Sequence, residues 1–242
     1  MPVAGWVVAV IIGVGGGVFL QAAEPPVPAG YQLLYEQDFA DETALREFEF
    51  SDPTAWRWAR EDGERKGALE LHRQSRYSPR VRSPVNIALL KDRLFGDFVL
   101  DVDMVQTGRE YGHRDMCVFF AAKDPANFYY AHLATKADDH AHNVFLVNDE
   151  PRVKIASETT SGVNWGLEIW HRVRVERRLA DGTIRVFFDD LTKPIMVASD
   201  KHFDFGRVGF GSFDDTGKVA RVRIWGPEVL GKRLEFFDPS GQ

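Results

Sequence analysis

A single cysteine, Cys117, stands in the 242 residues, which excludes an intramolecular disulfide and a multi-thiolate metal cluster. It lies inside the run MCVFFAA and reads as a small buried hydrophobe, not a nucleophile. Basic residues are not in excess: 30 Lys and Arg face 36 Asp and Glu, for a formal net charge of -6. That balance gives no electrostatic case for nucleic acid, which would call for a basic patch on a basic domain. Internal repeats, low-complexity tracts and the His-Glu-x-x-His pair of a helical zinc site are also missing, so no tightly bound zinc is expected. Helical periodicity is nearly absent outside an N-terminal apolar segment and residues 41–48.

The apolar segment, residues 3–20 (VAGWVVAVIIGVGGGVFL), carries no charge and leads into QAAEPPVPAG. An apolar run ending in small residues predicts a secretory signal over residues 1–23, with cleavage near Ala22 or Ala23. No Lys or Arg precedes it, and its length just suffices to span a bilayer, so an uncleaved anchor is the alternative. The expected location is secreted or periplasmic, or membrane-anchored through this segment alone. A Pro-rich linker (24–30), one domain (31–226) and a C-terminal tail (227–242) complete the organisation.

Short alternating runs separated by turn signals fill the domain, the pattern of an antiparallel sandwich. FGDFVLDVDMVQTG places Phe98, Leu100, Val102 and Met104 on one face and Asp97, Asp101 and Asp103 on the other. MCVFFAA and FYYAHLA flank KDPAN, whose Asp-Pro and Asn favour a tight reversal. Both are apolar on both faces, as central strands with a covered second face should be. HNVFLVN pairs with PRVKIAS, IWHRVRVERR with TIRVFFDD, and GRVGFGSFDD with VARVRIWG as the last hairpin. The predicted fold class is all-β, a two-sheet antiparallel sandwich.

The stretch WGLEIWHRVRVERRLADGTIRVFFDDLTKPIMVASD, followed by GRVGFGSFDDTGKVARVRIWG, resembles the later strands of the concanavalin A-like lectin and glucanase superfamily. GALELH and RSPVNIALLKDRLFGDFVLDVDM resemble its early strands, and laminin G-like and 3-keto-disaccharide hydrolase-like domains of secreted bacterial proteins are particularly similar. The resemblance covers residues 31–226. It implies a concanavalin A-like jelly roll and a carbohydrate partner, but not a chemistry, because the fold hosts lectins, hydrolases, lyases and adhesion modules. Retaining glucanases of that superfamily carry Glu-x-Asp-x-x-Glu on one strand, and here the nearest run is Asp101-Val102-Asp103-Met104-Val105-Gln106. Asp101 is shorter than Glu and Gln106 cannot ionise, so that activity is rejected. Asp101 and Asp103 then read as the wet face of a strand.

Four of the seven histidines lie between positions 113 and 142. If FYYAHLA and HNVFLVN form a hairpin, His132 and His142 share parity, and antiparallel order brings His113, Arg114 and Asp115 beside them. Candidate catalytic residues are therefore His113, Asp115 and His132, a histidine with an orienting acid. Arg114, Tyr130, Asp139, His140 and His142 are candidate ligand contacts. A metal at His140-x-His142 and a purely structural polar rim are the competing readings. No cofactor is expected; Asp214, Asp215 and Asp38 offer oxygen ligands for a structural calcium, though paired acids at a hairpin are usually turn formers. Arg172, Arg174, Arg221 and Arg223 alternate with apolar residues and read as a solvated sheet face rather than a grip on acidic sugars. Trp56, Trp58, Trp165 and Trp170 could stack on sugars or pack a core. Two functions stand side by side: an exported glycan hydrolase or lyase, and a noncatalytic glycan-binding or surface-interaction module.

Overall fold

A computed structural model describes residues 26–231 and 236–237; the expected signal segment lies outside them. Among the described residues no helix is long and apolar enough to cross a membrane. Sixteen strands among the described residues, numbered in chain order, form two antiparallel sheets.

The nine-stranded sheet runs, edge to edge, β11 (Ala156–Thr159), β14 (Met196–Ser199), β13 (Thr183–Phe188), β12 (His171–Arg177), β6 (Phe98–Gln106), β16 (Gly217–Gly226), β4 (Gly67–Leu71) and β3 (Trp56–Arg60). β1 (Gln32–Gln37) pairs with the later half of β16, from Val222 to Gly226. The seven-stranded sheet runs β10 (Val153–Lys154), β9 (Asn143–Asn148), β8 (Asn127–Ala134), β7 (Asp115–Asp124), β15 (Arg207–Ser212), β5 (Asn86–Leu90) and β2 (Phe48–Phe50). The short helical pattern near position 41 becomes a 3₁₀ helix over Glu42–Glu47, whose first turn is capped by the Asp41 carboxylate accepting from the Thr43 N–H at 2.8 Å.

Period-two alternation decides what lies between the sheets. Leu100, Val102 and Met104 of β6 and Val173 and Val175 of β12 meet Val118 and Phe120 of β7 and Tyr129, Ala131 and Leu133 of β8 in one core. A second apolar cluster covers the outer face of the seven-stranded sheet: Ile87, Leu89, Cys117, Phe119, Phe128, Tyr130, Phe145 and Val147, packed under Tyr77, Val81, Phe236 and Phe237. The two-sided apolar character of β7 and β8 thus has its cause, and Cys117 is wholly buried there.

One expected hairpin is absent. β15 belongs to the seven-stranded sheet and β16 to the nine-stranded one, so Phe213–Thr216 carries the chain across the sandwich instead of closing a hairpin. Ser212 directs this crossing: its hydroxyl donates to the Asp215 carbonyl at 2.6 Å and accepts from the Asp215 N–H at 3.0 Å. The expected wet face also differs. Register sets Arg174 directly across from Asp101 and Arg172 across from Asp103, and both acids are buried beneath these arginines.

Candidate functional site

Of the expected rim residues, the start of β7 and the end of β8 bring Asp115 and His132 together. Asp115, Cys117 and Phe119 alternate onto the outer face, and Cys117 stands directly across from His132. The Asp115 carboxylate Oδ2 accepts from the Phe213 N–H at 2.9 Å and from the Cys117 thiol at 3.2 Å. His132 Nε2 lies 3.2 Å from that same oxygen, yet off the line of a hydrogen bond, so neither ring nitrogen has a partner. The imidazole packs among rings instead, stacked on Phe213 at 6.1 Å and tilted against Phe145 at 5.9 Å and Tyr130 at 6.0 Å. Asp115 is 0% exposed and His132 3%.

Beside them, Asp215 accepts from the Asp115 N–H at 3.0 Å and the Tyr111 hydroxyl at 2.8 Å. Burial, and next the Asp115 carboxylate, push Asp215 up to about 7. Burial likewise raises the Cys117 thiol and the Tyr130 phenol well above their usual ranges. The Tyr130 hydroxyl and the second oxygen of Asp115 are buried without partners.

The other predicted residues do not join this cluster. Arg114 is a structural clamp: its guanidinium donates to the Gln106 side chain, to the Gln106 carbonyl at 3.0 Å and to the Gly166 carbonyl at 2.6 Å. His113 is half exposed and meets Asp138, a residue the sequence reading passed over. Asp139 pairs with Lys154 at the surface, and His140 offers its carbonyl to Arg152 at 2.8 Å. His142 breaks the expected parity. It precedes β9 in a left-handed conformation (φ 52°), which turns its ring toward the Thr160 hydroxyl at 2.9 Å; Asn143, not His142, stands across from His132. Burial, then the neighbouring His132, lowers His142 to about 4, so it is neutral at pH 7. Arg152 is an unforeseen neighbour, with its guanidinium carbon 4.0 Å from the Phe213 ring centre and one terminal nitrogen buried without a partner.

Two donor sets share Asp115: Asp115, Cys117 and His132, and Asp115, Asp214 and Asp215, each with donor atoms within 4.8 Å of one another. Asp38, expected beside Asp214 and Asp215, is elsewhere and pairs with Lys66 at 2.6 Å.

An open depression of about 400 Å³ lies at the β3–β4 hairpin, lined by Trp58, Arg60, Glu61, Asp62 and Lys66 with Ala40 and Gly63. Trp58 is held rigidly: its indole N–H donates to the Phe39 carbonyl at 2.9 Å. Gly67 makes this possible, because a Cβ there would stand 2.5 Å from the indole nitrogen and 2.3 Å from the Phe39 oxygen. Lys66 and Glu61 are committed to Asp38 and Lys218, whereas Arg60 and Asp62 form no ion pair among the described residues. No motif marks this site. Its signal was one half-buried tryptophan two positions from an exposed arginine, indistinguishable in sequence from an edge strand.

No protein-family model matches the sequence, and no curated relative matches it. Several solved structures share the fold. The carbohydrate-binding module CBM66 from Bacillus subtilis is 16% identical, with a TM-score of 0.52 over 74% of this chain and 96% of that one. Domain 4 of AbnA, a GH43 extracellular arabinanase from Geobacillus stearothermophilus solved in complex with arabinotriose, is 14% identical with a TM-score of 0.51, covering 84% and 94%. Winged bean acidic lectin, solved with methyl-α-D-galactose, is 10% identical with a TM-score of 0.53, covering 85% and 99%. At these identities the likeness is one of fold: a concanavalin A-like antiparallel two-sheet sandwich.

Proposed function

We propose that this domain binds carbohydrate without cleaving it, and that the sugar seats in the Trp58 depression. The carrying observation is an indole tied by its own N–H and lining an open hollow, with Arg60 and Asp62 uncommitted beside it. An aromatic ring whose polar edge is already satisfied presents its apolar body to the C–H face of a sugar ring. Uncommitted guanidinium and carboxylate groups at the margin then supply donors and acceptors for hydroxyls. A volume of about 400 Å³ falls at the small end of ligand clefts. The carbohydrate-binding module, the arabinanase domain and the lectin of the same fold support the choice of ligand class.

The expected catalytic trio supports binding over hydrolysis. His113 is engaged with Asp138 at the surface, while Asp115 and His132 are buried under Phe213 and its neighbours. A general acid and base must both reach the scissile bond, and these three share no solvent-open face. An extracytoplasmic setting, secreted or anchored, fits this role and rests on residues 1–23.

A glycan array followed by calorimetry on the full chain tests the reading. Trp58→Ala should weaken binding of the array's best glycan at least about tenfold, on the order of the 1.4 kcal/mol that a stacked ring can supply. His132→Ala should leave that affinity unchanged. Unaltered affinity in Trp58→Ala, or release of reducing ends from the bound glycan, would overturn the proposal.

A further inference from the structure

We infer that Asp115, Cys117 and His132 form a binding site for one divalent transition-metal ion of the zinc class. The site is separate from the sugar depression, and neither reading depends on the other.

Register builds the site. Across an antiparallel pair, directly opposite residues project to the same face, as do residues two apart on one strand. Cys117 and His132 are such a pair between β7 and β8, and Asp115 lies two positions before Cys117. Three different donor types are thereby held on one rigid hairpin. The thiol sulfur and the imidazole Nε2 each stand 3.2 Å from the same carboxylate oxygen. Around tetrahedral zinc, with bonds of about 2.0–2.3 Å, adjacent donor atoms are separated by about 3.3–3.5 Å. The donors are already near ligand spacing.

The second observation is what the imidazole lacks. His132 is 97% buried by its 3% exposure, and neither of its nitrogens has a hydrogen-bond partner. The second Asp115 oxygen, Oδ1, is also buried without a hydrogen-bond partner, while Oδ2 is the one beside the thiol and the imidazole. Leaving a buried imidazole nitrogen unsatisfied is costly, and an ion coordinated by Nε2 removes that cost at this atom. The Phe213 N–H on the Asp115 carboxylate, at 2.9 Å, is the kind of outer partner that orients a ligating carboxylate. One sulfur, one imidazole nitrogen and one carboxylate oxygen suit zinc or cobalt, not calcium or magnesium, which take oxygen alone. On binding, the thiol releases its proton to solvent. The thiolate and Asp115 then sum to two negative charges against the two positive charges of the ion.

The experiment uses the full chain, stripped with a chelator and titrated with Co²⁺. One equivalent should bind, giving an intense near-ultraviolet thiolate-to-cobalt charge-transfer band and visible bands of tetrahedral strength, both abolished by Zn²⁺. Cys117→Ser should lose the charge-transfer band, and His132→Ala should weaken binding by more than about 100-fold, beyond what outer partners contribute. His140→Ala, at the exposed loop, should change nothing. The wild-type spectrum decides the matter even if a variant fails to fold: cobalt bound without a charge-transfer band, or not bound at all, would overturn the inference. Unchanged cobalt affinity in a folded His132→Ala protein would do the same.

Discussion

On the outer face of the nine-stranded sheet, Asp101 and Asp103 sit beneath arginines that pair with them. Arg174 grips Asp101 with two bonds, at 2.6 and 2.9 Å, and Asp103 is shared by Arg65 at 2.8 Å, Arg172 at 3.1 Å and Arg221 at 3.7 Å. On the outer face of the seven-stranded sheet, Asp115, Tyr130, His132 and Arg152 each bury a polar atom that has no partner. Both faces bury charge: on the first, each acid has a guanidinium within ion-pair distance, although Asp103 Oδ2 forms no hydrogen bond, whereas on the second Asp115 has no guanidinium partner among the described residues. A completed ionic layer explains itself as structure, because each buried charge is matched. An incomplete one carries a desolvation cost that a bound water or ion would offset.

The comparison breaks most severely if one partner of the completed layer is removed. Arg174→Ala strands the Asp101 carboxylate, about 5% exposed, and should cost about 3–5 kcal/mol in chemical denaturation. Replacing both residues by apolar side chains of similar size should recover most of that loss. If Arg174→Ala costs under about 1 kcal/mol, the layer is solvated and the contrast between the two faces fails.

Acid comes next, and it acts at the margin of the incomplete face. His142 is lowered from 6.5 to about 4, so the unfolded chain takes up a proton on this residue well before the folded one. The unfolded state therefore binds more protons between those values. Stability from this group is complete above about pH 6.5 and falls as the pH drops toward 4, by about 3 kcal/mol in all. His142→Gln should flatten that part of the profile, measured by denaturation at fixed pH steps. An unchanged slope would show that His142 is hydrated in solution.

Back on the nine-stranded sheet, the sugar seat proposed at Trp58 depends on tight packing behind the indole. Gly67→Ala would force a Cβ against the Phe39 carbonyl and the indole nitrogen. A loss of about 1–3 kcal/mol is expected from such overpacking, together with weaker glycan binding in calorimetry. Wild-type affinity in this variant would show that the indole's fixed position is irrelevant to recognition.

These expectations also show which parts of the molecule were legible in sequence. Alternation in FVLDVDM fixes which side of β6 is core, because strand parity is a local property. It does not say whether the opposite face is wet. Burial of Asp101 and Asp103 depends on Arg172 and Arg174 arriving in register from a strand some seventy residues away, and nothing local encodes that. The same limit hid the contact of Cys117 with His132: the thiol sits in an apolar run and reads as core until β8 is laid beside it. The GSFDD turn resembles a hairpin because its two flanking strands are contiguous in sequence; only their pairing with distant strands reveals that it crosses between sheets. His142 misled because parity arguments assume an extended backbone, and its left-handed conformation resets the phase before β9 begins.

The smallest expected effect is the sharpest test of the contrast. His132 is surrounded by Phe213, Phe145 and Tyr130 rings and makes no hydrogen bond, so His132→Phe exchanges a partnerless polar ring for an apolar one of similar size. Removing a buried polar group that lacks a partner is neutral or stabilising, since its desolvation was never repaid. In chelator-treated protein the change should therefore lie within about 1 kcal/mol of wild type, on the stabilising side. Thermal and chemical denaturation of the two proteins measure it directly. The same variant should bind no cobalt, so stability and metal affinity move apart. A residue kept for folding would show the opposite: a destabilisation of about 2 kcal/mol or more would mean that His132 has a partner in solution, and the two outer faces would then differ in degree rather than in kind.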